Sequence, residues 1–159
     1  AALAGGGGVS MDAPSFRVGV VVERRPSKSP WVDHAWRIVA IIPEAIGTEP
    51  GHVLGHDGEA VLLYAGARSV EFHRVETGNY RDNLTSGSPG LWVTLALTDE
   101  EPGIRLISVT ADPAEGESLT EIGDLMVEIA PMPPEIAERL AAFVETHHVE
   151  RVFTKRKRQ

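Results

Sequence analysis

Residues 24–37 carry the densest set of groups suited to binding anions and planar rings. Arg24, Arg25 and Lys28 surround Ser27 and Ser29, and Trp31, His34 and Trp36 follow at once. Guanidinium and ammonium groups beside hydroxyl donors suit a phosphate or a carboxylate. Two indoles nearby suit stacking on a planar ring. A phosphorylated or pterin-like ligand matches this mixture. A packing reading uses the same residues, with Trp36 in the core of its strand, Trp31 over the loop and the arginines paired with acidic neighbours. Arg24-Arg25 is not an export signal, because it follows a strand and no apolar segment comes directly after it.

Other groupings carry less chemistry. His52 and His56 stand four apart, a metal-holding spacing on a helix, but Gly51, Gly55 and Gly58 oppose a helix there. No third ligand is evident, so no metal site is expected. Glu71, His73, Glu76 and Tyr80 form a possible acid/base cluster, and Glu71 and His73 share one face of a strand. His147 and His148 are adjacent, so their rings diverge by about 100° on a helix, a poor arrangement for one metal. Asn83-Leu84-Thr85 is a formal glycosylation sequon. There is no Gly-x-Ser-x-Gly elbow and no His-Glu-x-x-His helix, and no catalytic residue is assigned.

These residues need elements to position them. Phe16, Val18, Val20 and Val22 alternate, and the run Val20-Val21-Val22 predicts a central strand over 16–25. Pro26 and Pro30 hold an extended loop. A second strand runs over 34–42, with Trp36, Ile38, Ala40 and Ile42 on one face and Pro43 as its stop. Residues 44–58 read as loop. Short β runs at 60–64 and 69–74 read as a hairpin around Ala65-Gly66-Ala67. A short helix follows over 76–84, then strands at 91–98 and 104–110 joined by a loop at 99–103. Asp112 as N-cap, Pro113 at the first position and Glu115 at the third start a helix that buries Leu119 and Ile122 and closes at Gly123. A strand over 125–129 precedes the clearest helix, 135–148. There Ile136, Leu140, Phe143 and Val144 make one apolar face.

Hairpins early, helices late and no βαβ alternation predict one α+β domain. It is a mainly antiparallel sheet or small barrel with two or three helices, the longest at the C-terminus. Its 159 residues fit that size. Residues 1–11, with Gly5 to Gly8, read as a disordered linker or a remnant foreign to the fold, 12–150 as the domain and 151–159 as a frayed basic tail. Cysteine is absent, which excludes disulfides, thiolate metal sites and cysteine nucleophiles. No stretch has the roughly 20 apolar residues of a membrane span. The net charge of −8 argues against a nucleic-acid partner. That charge is polarised: residues 97–150 hold thirteen acids against Arg105 and Arg139, whereas 12–43 hold five bases against three acids. Lys155-Arg156-Lys157-Arg158 adds a basic end.

Val18-Gly19-Val20-Val21-Val22-Glu23-Arg24-Arg25, then Pro30-Trp31, Trp36-Arg37 and Val39-Ala40-Ile41-Ile42-Pro43, resemble the bacterial domain of unknown function family numbered 3305. Tyr64-Ala65-Gly66, 71–74, Glu76-Thr77, Tyr80, Asn83-Leu84, Trp92-Val93 and 143–148 extend the likeness from about Phe16 to Arg158. The family carries no assigned catalytic residues. Its genes tend to lie beside those of molybdenum-dependent formate dehydrogenases, and members are sometimes labelled molybdopterin-guanine dinucleotide biosynthesis proteins. After Val22 the chain has no glycine-rich nucleotide motif. The resemblance therefore implies a non-catalytic accessory or binding module in the bacterial cytoplasm. It implies a protein partner, formate dehydrogenase or its maturation factors, and no resident cofactor beyond a transient molybdopterin-type ligand. Arg24, Arg25, Ser27, Lys28, Ser29, Trp31, His34 and Trp36 are the expected contact residues. The alternatives are an enzyme or binder acting on a phosphorylated or pterin-type cofactor, and a structural homo-oligomeric module.

Overall fold

The structure, a computed structural model, describes residues 15–29, 34–43 and 47–158, with side chains described up to His148. The 1–11 segment, the loop residues Pro30 and Trp31 and the side chains of the basic tail lie outside the described residues. Seven strands and three helices are described: β1 (Ser15–Pro26), β2 (His34–Ile42), β3 (Val53–Asp57), β4 (Ala60–Glu71), α1 (Thr77–Leu84), β5 (Gly90–Leu97), β6 (Ile104–Thr110), α2 (Pro113–Leu119), β7 (Leu125–Pro131) and α3 (Pro134–Arg158). A 3-10 turn, Arg74–Glu76, leads into α1. All described strand pairs are antiparallel, in two sheets ordered β2-β1-β4-β3 and β6-β5-β7. The α+β class expected from the sequence is what the chain adopts.

The two sheets share one core. Val18, Val20 and Val22 of β1 are fully buried, and they join Leu91, Val93 and Leu95 of β5 and Leu106 of β6 in a single cluster. Ile136, Leu140, Phe143 and Val144 close one side of it, as their helical spacing predicts. Burying a side chain of this size contributes roughly 1.5–3 kcal/mol. β4 packs beside β6 and β2 beside β7, so the sheets approach at both margins. Arg68 spans the first margin, donating to the carbonyls of Leu106 at 2.8 Å and Ile107 at 3.3 Å. Glu128 spans the second, its Oε1 accepting the Ile38 N–H of edge strand β2 at 3.2 Å. A side-chain acceptor thus occupies a donor that a bare edge leaves open.

Three local readings are corrected. The 60–64 and 69–74 hairpin does not form. Residues 60–71 are one strand, with a register shift opposite Val20/Val21. The turn belongs one step earlier: β3 lies inside the expected 44–58 loop, and Gly58, at φ 64, makes its hairpin with β4. The last helix does not stop at His148, because its backbone continues to Arg158. Ile122 does not face inward; it is 49% exposed beyond α2. The start of α2 follows its sequence signature, with Asp112 Oδ1 accepting the Ala114 N–H at 2.9 Å and Pro113 at the first turn.

Candidate functional site

Strand alternation divides the basic segment at the end of β1. Glu23, Arg24 and Arg25 stand opposite Arg37, Trp36 and Ala35 of β2. Neighbouring strand residues point to opposite faces, so Arg24 joins the core-side face with Val22, and Glu23 and Arg25 share the other. Adjacent in sequence, the two arginines do not converge on one ligand.

On the core-side face, Arg24 Nη1 donates to the Pro102 carbonyl at 3.0 Å and to Glu101 Oε1 at 3.4 Å. Its guanidinium lies 6.0 Å from the Trp36 ring centroid, the outer limit of a cation–π contact. Trp36 packs against the core cluster, and His34 meets it edge-on at 5.8 Å. Gly103, at φ 114, fits beneath this pair: a Cβ there would stand 3.0 Å from Trp36 Cζ2. The β5–β6 loop therefore folds onto the Arg24–Trp36 end, and Trp36 is half-buried packing with one margin at the surface. Ser27 Oγ accepts the Ser29 N–H at 3.0 Å, which closes a local turn. Lys28 is exposed, and Trp31 lies outside the described residues.

On the opposite face sits a group that the sequence did not single out. Glu23 is 5% exposed. Arg25 Nε donates to its Oε1 at 2.8 Å, and Arg37 Nη2 reaches Oε2 at 3.5 Å. The hydrogen bond from Arg25 is the main influence holding this carboxyl below its ordinary value; burial opposes it, and the charges of Arg25 and Arg37 reinforce it. The same bond raises Arg25. One shielded carboxylate thus holds two guanidiniums whose side chains are 50% and 67% exposed. They rim a depression of about 410 Å³ that also includes Ala35 and Trp36. Guanidiniums fixed in this way present their remaining N–H groups to a carboxylate or phosphate. The signal in the sequence was a lone acid ending an apolar strand, directly before two bases.

Because the folded carboxyl of Glu23 titrates below its unfolded counterpart, its stabilisation is complete above the unfolded value of 4.5. It is lost as pH falls through the lower folded value. Glu23→Gln is therefore expected to flatten the acid limb of the stability curve below about pH 4.5, read by urea unfolding at stepped pH. An acid limb unchanged by the substitution would contradict the pairing.

The remaining sequence candidates are structural. Tyr80 is buried; its hydroxyl accepts the His73 N–H at 3.0 Å and donates to the Glu71 carbonyl at 3.4 Å. Burial pushes its phenol up to about 12, far from acid/base work at neutral pH. His73 and Glu71 pair at 3.4 Å on an exposed surface. Asn83 is 4% exposed with its amide fully engaged, so the formal sequon is not an accessible acceptor. His56 lies on β3 and His52 precedes it; neither joins a group of metal-ligating residues among the described residues. His147 stacks 4.4 Å from Phe143, and Arg81 meets His148 at 3.0 Å. Among the described residues no helix is long and apolar enough to cross a membrane.

The fold and this charged end define an antiparallel two-sheet α+β domain with a paired-arginine surface. The chain belongs to the family of proteins of unknown function DUF3305, whose model matches residues 17–157. No curated protein and no solved structure is significantly similar to it.

Proposed function

We propose that this chain is a non-catalytic accessory module that helps a molybdenum-dependent formate dehydrogenase mature or assemble in the bacterial cytoplasm. The formate dehydrogenase context comes from the family resemblance. The observation that carries a binding role is the shielded Glu23 holding Arg25 and Arg37 in fixed, half-exposed positions. Such a surface suits acidic side chains of a protein partner. The other expected contact residues, Arg24, Ser27, Lys28, Ser29, His34 and Trp36, belong to the same β1 and β2 ends, and Trp31 lies outside the described residues.

A transient molybdopterin-type ligand is the second reading. The depression of about 410 Å³ rimmed by Arg25 and Arg37 favours it, since a phosphate suits the guanidiniums. That ligand would bring its own redox chemistry; Arg25 and Arg37 would bind and orient its phosphate.

The tagged chain is expected to copurify with formate dehydrogenase from lysate without turning over formate. Arg25→Gln/Arg37→Gln is expected to reduce recovery about ten-fold, as loss of a charged contact does. Unchanged recovery from this variant would move the contact elsewhere, and no dehydrogenase recovered with the wild-type chain would contradict the reading. Stabilisation by molybdopterin cofactor alone, in a thermal-shift assay, would favour the second reading.

A further inference from the structure

We infer that the outer face of the β6-β5-β7 sheet, between α2 and β7, docks a short basic amphipathic helix of a protein partner. It uses none of the residues at the β1–β2 end and goes beyond the accessory reading. Trp92, Thr94 and Ala96 of β5 stand opposite Ile129, Val127 and Leu125 of β7. Paired residues share a face, and Leu91, Val93 and Leu95 take the core side, so these six lie on the outer side. Gly116 of α2 rests on Trp92, where an added Cβ would overlap the Trp92 side chain. Glu115 Oε1 accepts the Thr110 hydroxyl at 2.6 Å, so that flank of α2 faces β6. β7 is on the other side of β5, and its outer stripe is incompletely covered. Ile129 is 60% exposed, and Trp92, Val127 and Leu125 are partly buried.

The groove has an apolar floor and one acidic wall. Consecutive helix residues point about 100° apart, so Glu115 and Glu117 lie on opposite flanks of α2 about Gly116. Glu117 is thus on the β7 side. Glu121 and Asp124 bracket Ile122, itself 49% exposed, where the chain enters β7. These three acids are exposed, and among the described residues none has an ion-pair partner. The stripe from Leu125 to Ile129 spans roughly 13 Å at about 3.3 Å per residue. That matches about nine residues of helix at about 1.5 Å each, and it is too short for a second globular surface. An amphipathic helix lays its apolar stripe in a groove of this kind. Lys or Arg beside that stripe then meets Glu117, Glu121 and Asp124, which makes the fitting partner basic.

Fluorescence polarisation with the full chain tests this, using a labelled peptide with Leu at helical spacing among Lys and Arg. Saturable micromolar binding at low salt is expected, with a Glu-for-Lys counterpart at least about ten-fold weaker. A peptide of the same charge with Ser for Leu is expected to bind at least about ten-fold more weakly too, because the floor is apolar. Ile129→Asp should weaken the basic peptide about ten-fold, and Glu117→Lys/Glu121→Lys should reverse the charge preference. Arg25→Gln/Arg37→Gln should leave binding unchanged, which separates this face from the arginine surface. Circular dichroism confirms that each variant is folded. Equal binding of the Leu and Ser peptides would mark general attraction to an acidic protein and overturn the proposal. So would binding unmoved by Ile129→Asp. Self-association of the wild-type chain in sedimentation, abolished by Ile129→Asp, would assign the face to a second copy and overturn it as well.

Discussion

Asn83→Ala is expected to destabilise the protein by about 3 kcal/mol, because it orphans several buried polar groups at once. The Asn83 amide nitrogen donates to the carbonyls of Gly90 at 2.8 Å and Ala111 at 2.9 Å. Its oxygen accepts the Gly90 N–H at 3.0 Å. One side chain on α1 thereby ties down the entry to β5 and the exit from β6. Each buried group left unpaired costs about 1–3 kcal/mol, and the costs are not fully additive. For a chain of this size, 1 kcal/mol shifts the unfolding midpoint by roughly 2–4 °C, so a fall of about 10 °C is expected. Asn83→Asp keeps the acceptor but loses both donors, and its effect should be of similar sign. Calorimetry showing Asn83→Ala within about 1 kcal/mol of wild type would mean that water replaces the amide.

Gly116→Val should be nearly as damaging, at about 3 kcal/mol, through overpacking. Gly116 is the buried residue of α2. A Cβ there would overlap the Trp92 side chain at Cβ and at the indole's Cγ and Cδ1, and Trp92 is on β5, in the centre of its sheet. Helix propensity works the other way but is smaller: replacing glycine gains at most about 1 kcal/mol. Steric overlap wins because the indole is rigid and its backbone is held in two ladders, to Thr110 and to Ile129. In a Trp92→Leu background the valine should cost much less, and a double-mutant cycle by urea unfolding reads this coupling. Additive effects would contradict the contact.

Periodicity made some elements legible and misled at others. The β1 alternation and the α3 spacing translate directly into buried positions, since each is one continuous apolar pattern facing one core. The N-cap at Asp112 was legible because its partners are local. The Ala65-Gly66-Ala67 step looked like a turn because glycine breaks a pattern in the same way at a turn and at an irregularity within a strand. Pairing with β1 resolves it as the latter.

The candidate site was half legible for the same reason. Charges and indoles gather in 24–37, but the strand sends Arg24 and Arg25 to opposite faces. Contacts with Glu101 and Pro102 join residues more than seventy positions apart, which no spacing encodes. The acidic second half is also partly structural. Glu101 meets Arg24, Glu128 caps the β2 edge, and Glu115 accepts the Thr110 hydroxyl at 2.6 Å.

Deleting the gene for this protein and assaying formate dehydrogenase tests the central proposal most directly. Formate oxidation and molybdenum loading of the dehydrogenase are expected to fall while its subunits are still made. The wild-type chain should restore both, and Arg25→Gln/Arg37→Gln should restore much less. Normal activity with normal metal loading in the deletion strain would contradict the proposal.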